Sequence, residues 1–543
     1  MHEALSPQAT RWVDERLGRM STDQKLGQLL HPAWQASAGA DGFARQVLSV
    51  CEPGGVFLFP GTCDQFRQTT AGLQDACSTP VVVSSDLENG AGRMLSDATA
   101  FADPMALGAA DRQDLARAMG EATAREGRAC GVHWTFSPVC DLNLNPHNPV
   151  VCTRSLGDDP ARVSRFIDPL IRAIQANGMC ATAKHFPGDG LDDRDQHICT
   201  TINPLRLDQW RRLSGRVFQA AVDAGVGAVM IGHVSLPAVD PGDGTNLQSA
   251  PPATLSRRLL DGLLRADLGF EGVVITDAMN MAGVTNWGDR SEIVVRAVNA
   301  GCDMILFSFV EQDFAILQRA VAEGRLSMER VDQAARRILT LKAKLGLHEE
   351  PGPRVDAGDT AAHAAAAREL AEAALTLVHG SADAVPVPIE GKRLLSLHIR
   401  GDAKYQVDGV DELLRARGAE VVRMTEADEP GLGLRVDAYD AVLVHLVFGP
   451  SWMTGRIRLA DNYNRGLVTI VQQRHPHTIF ISYGSPYHGY DLPQAPVLLN
   501  AYGPAPSVQQ AVVRWLAGEI PAPGRSPVDL LAPWRNAGAW GRL

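Results

Sequence analysis

The chain has 543 residues, too many for one hydrophobic core at roughly 100–200 residues per domain and suited to two large domains or three smaller ones. Hydrophobic residues make up 45% and charged residues 21%, which argues against a mainly disordered, collagenous or coiled-coil protein. Its 51 basic and 62 acidic side chains leave a net charge of −11, so a broad basic footprint for nucleic acid or an anionic membrane is not expected, and a small neutral or polar ligand fits better.

The N-terminal stretch Met1–Pro7 lacks the basic and apolar regions of a signal peptide, and no apolar run reaches the length of a membrane span; a cytoplasmic protein with no membrane partner is expected. The nine cysteines (51, 63, 77, 130, 140, 152, 180, 199 and 302) are odd in number and include no C-x-x-C pair. That pattern suits neither a disulfide framework nor a zinc site, and predicts buried free thiols.

Along residues 1–347, short runs rich in Val and Ile alternate with longer helical patterns. Strands are expected at Leu26–Trp34, Gly55–Phe59, Val81–Asp86, His133–Asp141, Cys180–Phe186, Gly227–Val234, Gly272–Asp277 and Cys302–Phe307. Continuous apolar runs separated by helices imply buried, parallel strands, and eight such units predict a (β/α)8 TIM-like barrel. Several runs end in polar groups, at Ser85-Asp86, Asp141, Lys184-His185, His233 and Asp277. In such a barrel the active site forms at the C-terminal ends of the strands, so these groups are expected to share one pocket, although each carboxylate taken singly would also serve as a helix cap.

A regular apolar spacing predicts a helix over Met328–Leu347 that closes the barrel. The segment 348–360, with Pro351, Gly352 and Pro353, reads as a linker. A smaller layered α/β domain is expected over 361–543, with helices at His363–Leu375 and Ser507–Ala517 and strands at Arg393–His398, Ala441–Phe448 and Thr478–Ser482.

The segment Lys184-His185-Phe186-Pro187-Gly188-Asp189-Gly190 is followed by four residues and then Asp195-Gln196-His197. Adjacent Lys and His at a strand end offer donors to a polyhydroxylated ligand, and Pro and Gly turn the chain into a loop. A carboxylate two residues from an imidazole can fix its tautomer and raise its proton affinity, which makes an acid/base pair; a plain loop salt bridge is the other reading of the same spacing. Gly272–Asp277 delivers a single carboxylate to a strand end, a suitable place for a nucleophile directed at an anomeric carbon.

These motifs together resemble the family-3 glycoside hydrolases across nearly the whole chain: MSTDQKLGQL (20–29), SDLENGAGRM (85–94), FSPVCDLNLNPHNPVVCTRSLGDDP (136–160), KHFPGDG, MIGHV (230–234), TDAMNM (276–281) and AGCDM (300–304). AEAALTLV (371–378), YGSPY (483–487) and NAYG (500–503) extend it into the second domain. The K-H-F-P-G-x-G-x4-D-x-H loop resembles the β-N-acetylglucosaminidase branch, in which a His–Asp dyad on a mobile barrel loop is the acid/base. The second domain shows no counterpart of the Glu-bearing motif of the β-glucosidase branch. One departure is Asp189, where the commoner motif has His; it bears on fine specificity.

The resemblance implies Asp277 as nucleophile, His197 as general acid/base and Asp195 as its orienting partner. It puts Asp86, Arg154, Lys184 and His185 on the sugar, with His233 shaping the pocket or meeting core hydrogen bonds. The implied reaction is retaining, exo-acting hydrolysis of β-linked N-acetylglucosamine without metal or organic cofactor. Phosphorolysis, β-glucosidase activity and a carbohydrate-binding role on an inactive barrel are the alternatives.

Overall fold

The computed structural model describes residues 4–353, 356–402, 404–425, 428, 435–453, 459, 470–471 and 473–530. Arg354 and Val355 of the expected linker lie outside the described residues. The chain divides into two compact units, one formed by Met1–Thr99, Arg117–Asp141 and Ile167–Thr360, the other by Ala100–Ala116, Leu142–Phe166 and Ala361–Leu543.

The first unit carries eight barrel strands in chain order: β1 (Leu30–His31), β2 (Gly55–Phe59), β3 (Val82–Ser85), β4 (Trp134–Thr135), β5 (Thr182–Phe186), β6 (Ala228–Ile231), β7 (Val273–Thr276) and β8 (Ile305–Leu306). Every pairing among them is parallel. Past Pro32 the first strand continues as Ala33–Gln35, which pairs with β2, and β2 pairs with β3 and β3 with β4. Single bridges Trp134↔Cys180 and Val139↔Lys184 carry the pattern to β5, which pairs with β6, and β6 with β7. Ile275↔Met304 then links β7 to the β8 segment, and Leu30↔Ile305 closes the ring. Closure satisfies the backbone of both edges, and the strand side chains are almost entirely buried, which is why these segments read as unbroken apolar runs.

The expected strand Leu26–Trp34 is shorter because Thr22–Gln28 is a helix with a capping box from Ser21 and Gln24. The helix Met328–Lys344 starts at Ser327, whose side chain accepts from the Arg330 amide. On it, Ala335, Leu339 and Ala343 recur every four residues and meet Ala9, Val13 and Leu17 of the helix Pro7–Arg19, two matching stripes that form a satellite core. The fully buried Asp303, just before β8, accepts from Arg265 at 2.9 Å, Arg330 at 2.9 Å and Arg337 at 3.0 Å, and from the Val274 amide on β7. Cys63 and Cys130, expected as free thiols, are joined in a disulfide, whereas the other seven cysteines are free. Their separation of 67 residues carries no local spacing signal.

The second unit is built on a six-stranded sheet of β9 (Thr376–His379), β10 (Arg393–Arg400), β11 (Glu420–Thr425), β12 (Ala441–Val447), β13 (Thr478–Ser482) and β14 (Leu498–Asn500). The order is β9-β14-β13-β12-β10-β11, parallel except for the β9–β14 edge. Its core includes Leu395, Leu397, Val442, Val444, Leu446, Phe480 and Leu498.

Candidate active site

Asp86 directly follows β3, Lys184 and His185 lie within the last residues of β5, His233 is two residues beyond β6, and Asp277 directly follows β7. Asp141 closes the segment after β4 that bridges to Lys184. All therefore stand at the C-terminal end of the barrel, as the strand endings predict.

Two of these groups form a charged pair with an unforeseen third member. Lys184 Nζ is 3.0 Å from Asp86 Oδ1 and 2.7 Å from Glu88 Oε1. The Lys184 and Glu88 side chains are each 3% exposed, and that of Asp86 is 35% exposed. An ammonium has three donors, so two carboxylates leave Lys184 one hydrogen for a ligand hydroxyl, and Asp86 is the member open to a ligand.

His185 is fixed by the fully buried Asp141. Its ring Nδ1 lies 2.6 Å from Asp141 Oδ2, its amide donates to both oxygens at 3.2 Å, and the Asp189 amide donates to Oδ1 at 2.8 Å. A carboxylate can only accept, so Nδ1 carries hydrogen and the imidazole orientation is set. Asp141 was legible as a strand ending but not as the anchor of His185 and of the loop start.

The loop that follows carries the second pair. Gly188 sits at φ +114°, and a Cβ there would come within 2.7 Å of Ser214 Oγ, so glycine is required where the chain leaves the strand. Asn203 Nδ2 donates to the Gly188 carbonyl at 3.0 Å and ties the loop's two ends. Asp195 Oδ1 accepts from both the His197 amide at 2.8 Å and His197 Nδ1 at 2.7 Å. The Asp195 side chain is buried, and that of His197 is 22% exposed. The loop backbone docks on the segment after Asp277: the Ala282 and Gly283 amides donate to the His197 and Gln196 carbonyls, each at 3.1 Å. A Cβ on Gly283 would stand 2.5 Å from the Gln196 carbonyl oxygen, so only glycine permits this approach.

Asp277 is held by its amide, which donates to the Ile231 carbonyl at 2.9 Å, while the Ala278 amide donates to its carboxylate at 2.7 Å. Burial works to raise its pKa, but the fields of His185, His233 and His197 and the Ala278 amide hold it below the ordinary carboxylate range. His233 is fully buried, with Nε2 donating to the Ala278 carbonyl at 3.0 Å and Nδ1 facing Thr254 Oγ1 at 2.8 Å. Burial holds its pKa below the ordinary value, so both ring nitrogens of a neutral imidazole are engaged by protein. Its amide donates to Gln196 Oε1 at 2.9 Å, so His233 ties the dyad loop to the residue after Asp277. Gln196, inside D-Q-H, had no signal beyond its place between two candidates.

Arg154 belongs to the second unit. There its guanidinium donates to the Val150 carbonyl at 3.3 Å and lies 5.6 Å from the Trp452 ring centre.

Residues 21–341 match the family model described as the glycosyl hydrolase family 3 N terminal domain. The chain belongs to glycosyl hydrolase family 3. A family relative from Cellulomonas fimi, named a beta-N-acetylglucosaminidase/beta-glucosidase, is 35% identical over 97% of both chains. Among solved structures, a beta-glucoside phosphorylase superposes with a TM-score of 0.88 at 31% identity over 97% of each chain. A family 3 beta-N-acetylglucosaminidase from Paenibacillus sp. superposes with a TM-score of 0.80 at 28% identity, covering 94% of this chain and 99% of that one. The TIM-like barrel followed by a second α/β domain is the architecture shared with these family 3 structures.

Proposed function

We propose that the chain removes β-linked N-acetylglucosamine from non-reducing ends by a retaining, two-step mechanism. The observation that carries the reading is the Asp195–His197 pair on a loop whose backbone docks on the segment that follows Asp277. In the first step an Asp277 oxygen bonds to the anomeric carbon, the bond to the leaving oxygen breaks, and His197 transfers its Nε2 proton to that oxygen. In the second, neutral His197 takes a proton from water, the water oxygen bonds to the anomeric carbon, and the Asp277 ester bond breaks. Asp195 keeps hydrogen on Nδ1 throughout, so Nε2 is the atom that gives and regains the proton. Asp86, Lys184 and His185 hold the sugar hydroxyls, with Asp141 and Glu88 fixing their positions. No step calls for a metal or an organic cofactor.

The preference for N-acetylglucosamine is supported by the D-x-H loop, and the name of the Cellulomonas fimi relative carries both that activity and β-glucosidase. A cytoplasmic site of action belongs to the same reading, with recycled cell-wall fragments, imported chitin oligosaccharides or a glycosylated metabolite as sources. Among the described residues no helix is long and apolar enough to cross a membrane.

A second reading, phosphorolysis, is favoured by the likeness to the beta-glucoside phosphorylase. Its physical basis is that a neutral imidazole base does not repel a phosphate dianion as a carboxylate base would. p-Nitrophenyl β-N-acetylglucosaminide and β-glucoside, each assayed with and without inorganic phosphate, separate the readings. Hydrolysis predicts free N-acetylglucosamine at a rate indifferent to phosphate. A sugar 1-phosphate formed at a phosphate-stimulated rate assigns phosphorolysis, and turnover of neither substrate overturns both.

A further inference from the structure

A second group of titratable side chains lies in the second unit, on the carboxyl-terminal halves of two parallel strands. The β10–β12 register sets His398 directly beside His445, with ring centres 4.7 Å apart, and neither side chain is appreciably exposed. Asp411, in the helix Asp408–Ala416, brings its Oδ1 to 3.3 Å from His398 Nε2. One ligand atom from each of the three residues lies within 4.8 Å of the other two. We propose that His398, His445 and Asp411 bind a divalent transition metal of the zinc class in the second unit.

Two imidazoles and a carboxylate are a donor set for such an ion, with a fourth position left for water. The arrangement differs from an ordinary buried ion pair at His445. Its Nδ1 faces Tyr483 Oη at 3.1 Å, but its Nε2 is buried and, among the described residues, has no hydrogen-bond partner. A buried imidazole nitrogen left in that state is destabilising, and a metal bond would offset the loss.

A metal takes the lone pair of a neutral imidazole and an ionised carboxylate, so an ion seated here displaces any proton from the three ligands.

The surroundings hold these ligands in place. Arg423 Nε donates to Asp411 Oδ2 at 2.6 Å, which turns Oδ1 toward the histidines, and Ser396 Oγ donates to Oδ1 at 2.6 Å. Arg423 is also paired with Asp408 at 3.2 Å, so two carboxylates face one guanidinium and the cluster carries a surplus negative charge for an incoming cation.

The test equilibrates the full chain with Zn2+, removes loosely held metal by dialysis and measures the metal retained, in parallel with Co2+ titration followed by visible absorption. The wild type should retain one equivalent and give a tetrahedral Co2+ band. His445→Gln and Asp411→Asn should each weaken binding at least about 10-fold and lose the rise in Tm that Zn2+ gives the wild type. No retained metal and no Co2+ band in the wild type overturns the proposal, whether or not the variants fold. Undiminished binding by a folded His445→Gln protein overturns it as well.

Discussion

The barrel holds two His–Asp pairs with nearly the same contact, 2.6 Å between His185 and Asp141 and 2.7 Å between His197 and Asp195, in opposite settings. The His185–Asp141 pair spans 44 residues, joins the segment after β4 to the end of β5, and leaves its imidazole side chain 5% exposed. The His197–Asp195 pair spans two residues of one loop and leaves its imidazole 22% exposed. Contact distance therefore does not separate the pair proposed to orient from the pair proposed to transfer a proton. Access and attachment do: Asp141 accepts from two backbone amides besides the ring, whereas the second pair rides on a loop held by main-chain bonds to Ala282 and Gly283.

The largest effect is expected at Asp277, the proposed nucleophile. Asp277→Ala should lower kcat/KM by on the order of 10⁴–10⁶, about 5.5–8 kcal/mol of transition-state stabilisation, with little change in Tm because this side chain is part-exposed. Mass spectrometry after treatment with a 2-fluoro or 5-fluoro glycosyl inhibitor should place the adduct on Asp277, and a label on another residue would remove it as nucleophile.

Next come the histidines, whose contrast is the direct test of the comparison. His197→Ala should cost about 10²–10⁴ in the glycosylation step for poor leaving groups and much less for activated aryl glycosides, which need little protonation. Azide should restore deglycosylation and yield a glycosyl azide. His185→Ala should lower rates by a similar factor at every leaving-group pKa, because it removes binding and orientation rather than a proton donor. Single-turnover rates across leaving groups of graded pKa read both, and equal slopes for the two variants would abolish the distinction.

The carboxylates should differ in which property they affect. Asp141→Asn leaves several buried donors poorly matched and should reduce stability by roughly 1–3 kcal/mol, read as a lower Tm. Asp195→Asn should leave Tm near the wild-type value and lower kcat more mildly than His197→Ala, since the imidazole remains but loses the carboxylate's charge. A drop in Tm for Asp195→Asn as large as that for Asp141→Asn would make the loop pair structural.

The settings of these pairs were only partly readable in the sequence. Strand identity was legible because strands buried on both faces write themselves as unbroken apolar runs: Gly55–Phe59 and Thr478–Ser482 have the bounds that the pattern predicts. Glu420–Thr425 is part-exposed at the sheet edge and lacks such a run, and was missed. Asp195 and His197 declared themselves by adjacency in sequence, whereas the partnership of Asp141 with His185 and of Glu88 with Lys184 depends on chain segments 44 and 96 residues apart that only barrel closure brings together. The Cys63–Cys130 disulfide escaped for the same reason.

A further barrel imidazole, His31, which like His233 has no carboxylate partner among the described residues, sharpens what the carboxylates contribute. His31 on β1 is fully buried, its Nε2 lies 2.7 Å from Ser84 Oγ, and burial, followed by the charge of Lys342, pushes its pKa down from 6.5 to about 3. Between those values the unfolded chain binds a proton that the folded chain does not, so the free energy of unfolding rises with pH across the window and is lost as pH falls from 6.5 toward 3. One such group contributes a slope of about 1.4 kcal/mol per pH unit within the window and none below it. His31→Gln removes the titration while keeping a polar side chain, so the variant's unfolding free energy, measured by denaturant titration from pH 6.5 to 4.5, should fall less steeply with acid than the wild type's. The difference between the two slopes isolates His31 from the carboxylates and from His445, which titrate alike in both proteins. Parallel slopes would mean that His31 accepts its proton without unfolding, and that burial without a carboxylate does not keep a barrel histidine neutral.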